Sequence, residues 1–198
     1  MGSRRKQAVN HPIKQANMLD LAKYQKSLYS HPRLRFLFLE LTDKCKLNCL
    51  HCGSKCTGNN NTYLDYGVIE KTLRTVAKCY DPAGIMICIT GGEPLLHPDI
   101  FRIVGMSRTL GFFVGITSNG TLIRDREAHL LKHAGLNTIA INLDGLQDKH
   151  DRFRCSEGAF DSSMRGIKLQ ELLIWMTLSR EQKILELMKK LRITYKVF

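Results

Sequence analysis

From Leu34 onward, short apolar runs alternate with segments whose apolar residues recur at helical spacing. The first run, Leu34-Arg35-Phe36-Leu37-Phe38-Leu39-Glu40-Leu41, is nearly all apolar and of strand length. Such a run suits a strand buried on both faces. A polar, cysteine-rich loop follows. Val68, Ile69, Leu73, Val76 and Ala77 then predict a helix, with Asp65 as its N-cap. A second strand is expected over Gly84–Thr90, and a helix from Pro98 to a stop at Gly111. A third strand is expected over Phe112–Thr117, a short helix over Glu127–Ala134 closed by Gly135, and a fourth strand over Thr138–Leu143. Phe160, Met164 and Ile167 mark a further helix face. Beyond it the pattern predicts a fifth strand within Leu172–Leu178 and a sixth over Ile193–Phe198. Between them, the capping-box sequence Ser179-Arg180-Glu181-Gln182 precedes a helix carrying Ile184, Leu185, Met188 and Leu191.

Strict alternation of strand and helix implies an α/β fold with a parallel sheet and right-handed crossovers. An open doubly wound sheet and a barrel both satisfy the pattern. Residues 1–33 are polar and irregular apart from a helix expected around Met18–Tyr29, and read as a basic N-terminal extension. Residues 34–198 form the core domain.

Composition narrows the class. With 198 residues, 43% of them hydrophobic and 24% charged, the chain is long and apolar enough for one well-buried domain, which excludes general disorder. No apolar run approaches the roughly 20 residues of a membrane helix. No apolar stretch follows the basic start Arg4-Arg5-Lys6, so it is not a secretory signal, and Lys6 stands where a myristoylation signal needs Ser or Thr. A cytoplasmic protein without a membrane partner is expected. The net charge of +12 is concentrated before residue 50, yet no aromatic residues interleave with the basic ones. The excess reads as a solvated arm, and nucleic acid is not expected as a partner.

The cysteines point to specific chemistry. Of seven, four lie between Cys45 and Cys56, while Cys79, Cys88 and Cys155 are scattered. Clustered cysteines in a reducing compartment indicate metal or redox chemistry rather than disulfides. Cys45, Cys49 and Cys52 have the spacing C-x3-C-x2-C. Three thiolates on one short loop can each bind one iron of a cubic cluster, leaving the fourth iron to a non-protein ligand. A zinc site completed by Cys56 is the alternative, although the paired C-x-x-C spacing of such sites is absent. Three further motifs follow successive predicted strands: Gly91-Gly92-Glu93-Pro94, Thr117-Ser118-Asn119-Gly120, and Asn142-Leu143-Asp144-Gly145 with His150-Asp151-Arg152-Phe153-Arg154 beyond it. In either parallel architecture the C-terminal strand ends share the ligand-binding face.

In this order the motifs resemble the radical S-adenosylmethionine (SAM) superfamily, whose signature is C-x3-C-x-φ-C; His51 occupies φ. The resemblance covers roughly residues 34–170. It implies a partial (β/α)6 TIM-like barrel, incomplete at its C-terminal end. It implies an enzyme that reductively cleaves SAM at a [4Fe–4S] cluster to a 5′-deoxyadenosyl radical, which abstracts hydrogen from a substrate. By the same resemblance Cys45, Cys49 and Cys52 ligate the cluster and His51 lies against the adenine. Gly91, Gly92 and Glu93 meet the methionine amino group, Ser118 and Asn119 the ribose or carboxylate, and Asp144 the ribose or substrate. Arg152 and Arg154 read equally as carboxylate binders or as surface charges. The stretches Cys52-Gly53-Ser54, GGEPLLHP and LDG…HDRFR are similar to the subgroup with SPASM extensions, which modifies peptides or builds cofactors. The implied partners are a peptide or small-molecule substrate and a flavodoxin- or ferredoxin-type electron donor. No cysteine follows Cys155, so the chain offers no ligands for a SPASM auxiliary cluster. Gly166–Trp175 lacks the usual glycine turn before a fifth strand, and a distorted or partly deleted strand is expected there. A non-catalytic zinc or iron–sulfur protein and a truncated, inactive radical SAM fold are the competing readings.

Overall fold

A computed structural model describes residues 11–173, with side chains described from 17 to 169. The chain divides into two compact units, Met1–Leu34 and Arg35–Phe198. The first carries helix α1 (His11–Ser30), which is longer than the expected Met18–Tyr29. In the second unit the elements run β1 (Phe36–Glu40), α2 (Tyr66–Cys79), β2 (Met86–Thr90), α3 (Ile100–Thr109), β3 (Phe113–Ser118), α4 (Asp125–His133), β4 (Thr138–Ile141), α5 (Gln147–Arg154) and α6 (Ala159–Leu173).

Local chemistry accounts for most boundaries. Asp65 caps α2 by accepting from the Val68 amide at 3.1 Å. Gly111 and Gly135, at φ +93 and +84, take the left-handed conformations that end α3 and α4. Pro98 is not the first helical residue. It lies in the turn before Ile100, and Asp99 occupies the cap position. The fifth strand is corrected at its start: Leu172 and Leu173 belong to α6, because the helix runs on past Gly166 with no further glycine or proline to stop it. The rest of that strand, the helix after Ser179 and the sixth strand lie outside the described residues.

All strand pairs are parallel, in the order β1-β2-β3-β4. A doubly wound sheet reverses its order at a switch point and is covered on both faces. Here the order follows the chain without reversal. Only one face is fully buried: Leu39, Ile87, Ile89, Val114, Ile116 and Ile139 point into the core with Ile69 and Leu73 of α2, Ile103 and Val104 of α3, and Leu131 of α4. The other face carries Phe36, Phe38 and Phe113, which are 58%, 67% and 43% exposed. The expectation that β1 is buried on both faces is therefore corrected. Its apolar run holds core residues and inward-facing residues of a barrel-type wall in alternation.

The sheet ends above this wall are joined by backbone pairing that continues past the strands. Gly92 N donates to Thr42 O at 2.7 Å and Glu93 N to Lys44 O at 2.9 Å. A Cβ on Gly91 would strike the Thr42 carbonyl oxygen, and one on Gly92 the Lys44 carbonyl oxygen. Both glycines are thus required by the approach of the chain to its own cysteine loop. Gly92→Ala must push the Lys44 carbonyl aside, an overpacking cost of about 1–3 kcal/mol. Gly53→Ala, with nothing within 4 Å of its Cβ, should stay within about 0.5 kcal/mol of the parent. Urea unfolding of the two variants checks this; equal midpoints would contradict the steric account.

Candidate functional site

The cysteine loop leaves β1 and is fastened at both sides of its base. Thr42 bridges Tyr63 and Lys44 bridges Thr57. Cys45 N donates to Thr57 O at 3.0 Å, Leu64 N to Leu41 O at 2.9 Å, and Thr62 N to the Asp43 carboxylate at 2.8 Å. Farther along the loop, α5 provides the anchor. Leu50 N donates to Phe153 O at 2.9 Å, and the His51 ring lies 5.7 Å from the Phe153 ring.

These restraints shape a cavity of about 160 Å³ over the strand ends. Its wall brings together Cys45, Cys49, Cys52, His51, Gly91, Gly92, Ser118 and Asn119, all singled out from sequence. It also holds Cys56, Leu47, Thr90, Thr117, Asn142 and Arg154. Thr90 and Thr117 were not singled out for a role in the sequence; each ends an inward-facing row of its strand, a position the alternation along β2 and β3 marks.

No three His, Cys, Asp or Glu side chains among the described residues converge on a single ion-sized point. The four thiols line one cavity, and a cubic cluster takes its cysteines one per iron. Each signature sulfur also receives an N–H group. Asn119 Nδ2 donates to Cys45 Sγ at 3.8 Å, Arg154 Nη1 to Cys49 Sγ at 3.6 Å, and Cys56 N to Cys52 Sγ at 3.4 Å. Donors aimed at sulfur favour the thiolate, the form that binds metal. The donor set therefore fits an iron–sulfur cluster. Without metal, burial pushes the Cys45 thiol above its usual range, and the Glu93 and Cys49 charges add to that; the Leu47 backbone N–H and the Asn119 amide pull the other way. Burial, then the neighbouring Cys52, push the Cys56 thiol up to about 11.

Glu93 stands behind the wall and does not line it. Its side chain is wholly buried. One oxygen accepts from Ser118 Oγ at 2.9 Å and Leu95 N at 3.2 Å, the other from Asn119 N at 2.9 Å. The carboxylate thus ties the Gly-Gly-Glu turn to the turn after β3. Burial raises its pKa above the ordinary value, opposed by these three hydrogen bonds and by the Arg154 charge.

Asp144 likewise sits beside the cavity rather than on its wall. Its Oδ2 lies 2.7 Å from Arg154 Nε, an ion pair by distance with the N–H directed off the line to the oxygen. Its Oδ1 lies 3.6 Å from His51 Nε2. Asp144 N donates to His150 Nδ1 at 3.2 Å, which assigns the proton to Nε2. That nitrogen has no hydrogen-bond partner, and the His150 ring lies T-shaped to the Phe160 ring, centroid to centroid 5.9 Å. Desolvation and then the Arg154 charge lower the His150 pKa, against the Asp144 and Asp151 carboxylates. Of the two arginines left open by the sequence, Arg152 is exposed and Arg154 is buried. The readable signal was helical spacing: His150 and Arg154 are four apart, hence on one face of α5. Asp151 has a structural role, accepting from the Gly158 and Phe160 amides at the start of α6.

The buried carboxyl makes a pH prediction. Glu93 has a folded pKa raised above its ordinary 4.5, so its stabilising contribution is present below the unfolded value and is lost as pH rises through the folded one. In metal-free protein, the stability difference between wild type and Glu93→Gln should therefore fall as pH climbs from about 4.5. Thermal melts across that range test this; parallel curves would refute it.

Comparison with known proteins agrees with this geometry. Residues 39–175 match the Radical SAM superfamily. An AdoMet-dependent heme synthase of Methanosarcina barkeri is 32% identical over 137 residues, covering 68% of this chain and 38% of that protein. The sporulation killing factor maturation protein SkfB of Bacillus subtilis is 32% identical over 130 residues, 66% of this chain and 31% of that protein. Streptococcus suis SuiB, solved with its precursor peptide SuiA, superposes with a TM-score of 0.59 at 20% identity, covering 87% of this chain and 38% of that one. A similar likeness to anSMEcpe with bound AdoMet (TM-score 0.59, 20% identity, 71% of this chain and 42% of that one) supports the same barrel-type fold. The chain thus spans less than half the length of each of these relatives. Because the profile match runs through most of the sequence, the chain belongs to the radical SAM superfamily, whose enzymes use a [4Fe–4S] cluster and S-adenosylmethionine.

Proposed function

We propose that this chain is the core of an enzyme that cleaves SAM reductively and uses the resulting radical on a peptide or small-molecule substrate. The observation that carries the reading is the meeting of the C-x3-C-x2-C thiols with Gly91, Gly92, Ser118 and Asn119 in one cavity. Cys45, Cys49 and Cys52 would hold the cluster. When bound, cluster and SAM together supply homolysis of a carbon–sulfur bond and abstraction of a hydrogen atom.

The protein's part is placement and shielding. Asn119 and Ser118 present polar groups at the cavity, and Glu93 fixes both from behind through its buried carboxylate. Any contact of Glu93 with the SAM amino group uses the remaining acceptor capacity of the oxygen that takes the Asn119 amide. His51, packed against Phe153, offers a ring edge at the mouth for the adenine. Asp144 is engaged first with Arg154 and reaches ligand only through the oxygen facing His51.

The relatives include enzymes of heme synthesis and of peptide maturation, and SuiB was solved with a peptide. Those likenesses support a substrate from the same two classes. A small acidic electron carrier of the flavodoxin or ferredoxin type suits a chain of net charge +12. No helix among the described residues is long and apolar enough to cross a membrane, and all seven cysteines are thiols; a reducing cytoplasm suits both the thiols and the cluster.

Anaerobic reconstitution should load roughly four iron and four sulfide per chain, and dithionite with SAM should then release 5′-deoxyadenosine. Equimolar zinc with neither iron nor sulfide would overturn the reading, and a cluster without SAM cleavage would leave an inactive binding fold. Serine at Cys45, Cys49 or Cys52 should abolish iron loading, whereas Cys56→Ser should retain it. Loss of the metal in Cys56→Ser would favour a four-cysteine site.

A further inference from the structure

Arg154 is a side chain of the cavity wall that joins the cysteine loop to Asp144 and to the end of β4. It is 8% exposed. Its Nη1 donates to Cys49 Sγ at 3.6 Å, its Nη2 to Asn142 O at 3.0 Å, and its Nε lies 2.7 Å from Asp144 Oδ2. A guanidinium is planar, and its donors are fixed relative to one another. With Nη2 bonded to the carbonyl of Asn142 just past β4 and Nε paired by charge with Asp144, Nη1 is left on the sulfur. The neighbouring residue strengthens the hold: Phe153 O accepts from Leu50 N, so both backbone and side chain of successive α5 residues grip Cys49-Leu50.

We propose that Arg154 sets the reduction potential of the cluster by donating to the Cys49 sulfur, with Asp144 and the Asn142 carbonyl as the groups that position it. This rests on the cluster reading given above. Reduction adds one electron from an external reductant, dithionite in the test, and makes or breaks no bond. The added negative charge falls partly on the sulfurs. A cation that donates an N–H to one of them in a water-poor setting stabilises the reduced form more than the oxidised one. Asp144 offsets the cost of burying the guanidinium and keeps the donor on its target. The arrangement makes the potential depend on a side chain that ligates nothing.

The test is a redox titration of the reconstituted full chain without SAM, followed by electron paramagnetic resonance. Arg154→Gln should retain the cluster and move the midpoint to more negative potential. A tenfold loss in the reduction equilibrium, about 59 mV for one electron, is the scale expected. Arg154→Lys keeps the charge but presents a single ammonium, which cannot hold both Asp144 and the sulfur, so a smaller negative shift is expected. Should the glutamine variant take up no iron, the lysine variant decides. Loaded variants with the wild-type potential would overturn the role of Arg154 and leave the cluster site standing. Wild-type protein that takes up no iron would overturn the cluster site, and this proposal with it.

Discussion

The buried carboxylate of Glu93 is the interaction on which the upper face of the sheet depends. A charge with no exposed surface is tolerable only when its oxygens are supplied with donors. Here the donors come from Ser118 and Asn119 at the end of β3 and from Leu95 in its own turn. The same residue's amide is bonded to Lys44 O in the cysteine loop. One residue therefore holds three strand-end segments in register. Asn119 is fixed through its backbone, and Thr121, donating to its Oδ1, leaves Nδ2 to the Cys45 sulfur.

On the other side, α5 holds the loop through a separate set of contacts. Phe153 binds the Leu50 amide and packs on His51, while Arg154 reaches Cys49. The cysteine loop thus lies between a sheet-side anchor and a helix-side anchor built from charge and backbone polarity, with apolar packing of Leu47 and the thiols against Ala159 beside them. The apolar core below carries the stability of the sheet. α6 adds to the frame, with Ser163 donating to Asn119 O at 2.7 Å. A rigid first layer of this kind keeps a reactive centre oriented.

The two glycines have a structural reason beside the one their sequence suggested, and both line the cavity. In the sequence, Gly91-Gly92 suggested close approach of a ligand. In the fold, the close approach is that of Thr42 and Lys44 to the same turn. Both readings ask for glycine, so no pattern within the tripeptide separates them. Arg154 is the reverse case. As a charge in a basic stretch it looked as much like surface as like site, and burial beside Asp144 removes the ambiguity.

The sequence by itself determined the alternation of elements, the four parallel strands that are described, the cysteine spacing and the placement of each motif after a strand. These are local properties: hydrophobic period, capping residues and loop composition act within a few residues of one another. It also carried most of the cavity wall, because any parallel sheet gathers its C-terminal strand ends on one face. Tertiary structure alone decided that β1 is open on one face, that α6 runs on where a strand was expected, that Glu93 lies behind the wall, and that Arg154 rather than Arg152 turns inward. Each of these is set by which distant segment supplies a donor, a charge or a covering surface. Such partners lie up to 105 positions apart in the chain, as for Arg154 and Cys49, and nothing in the local sequence encodes the distance between them.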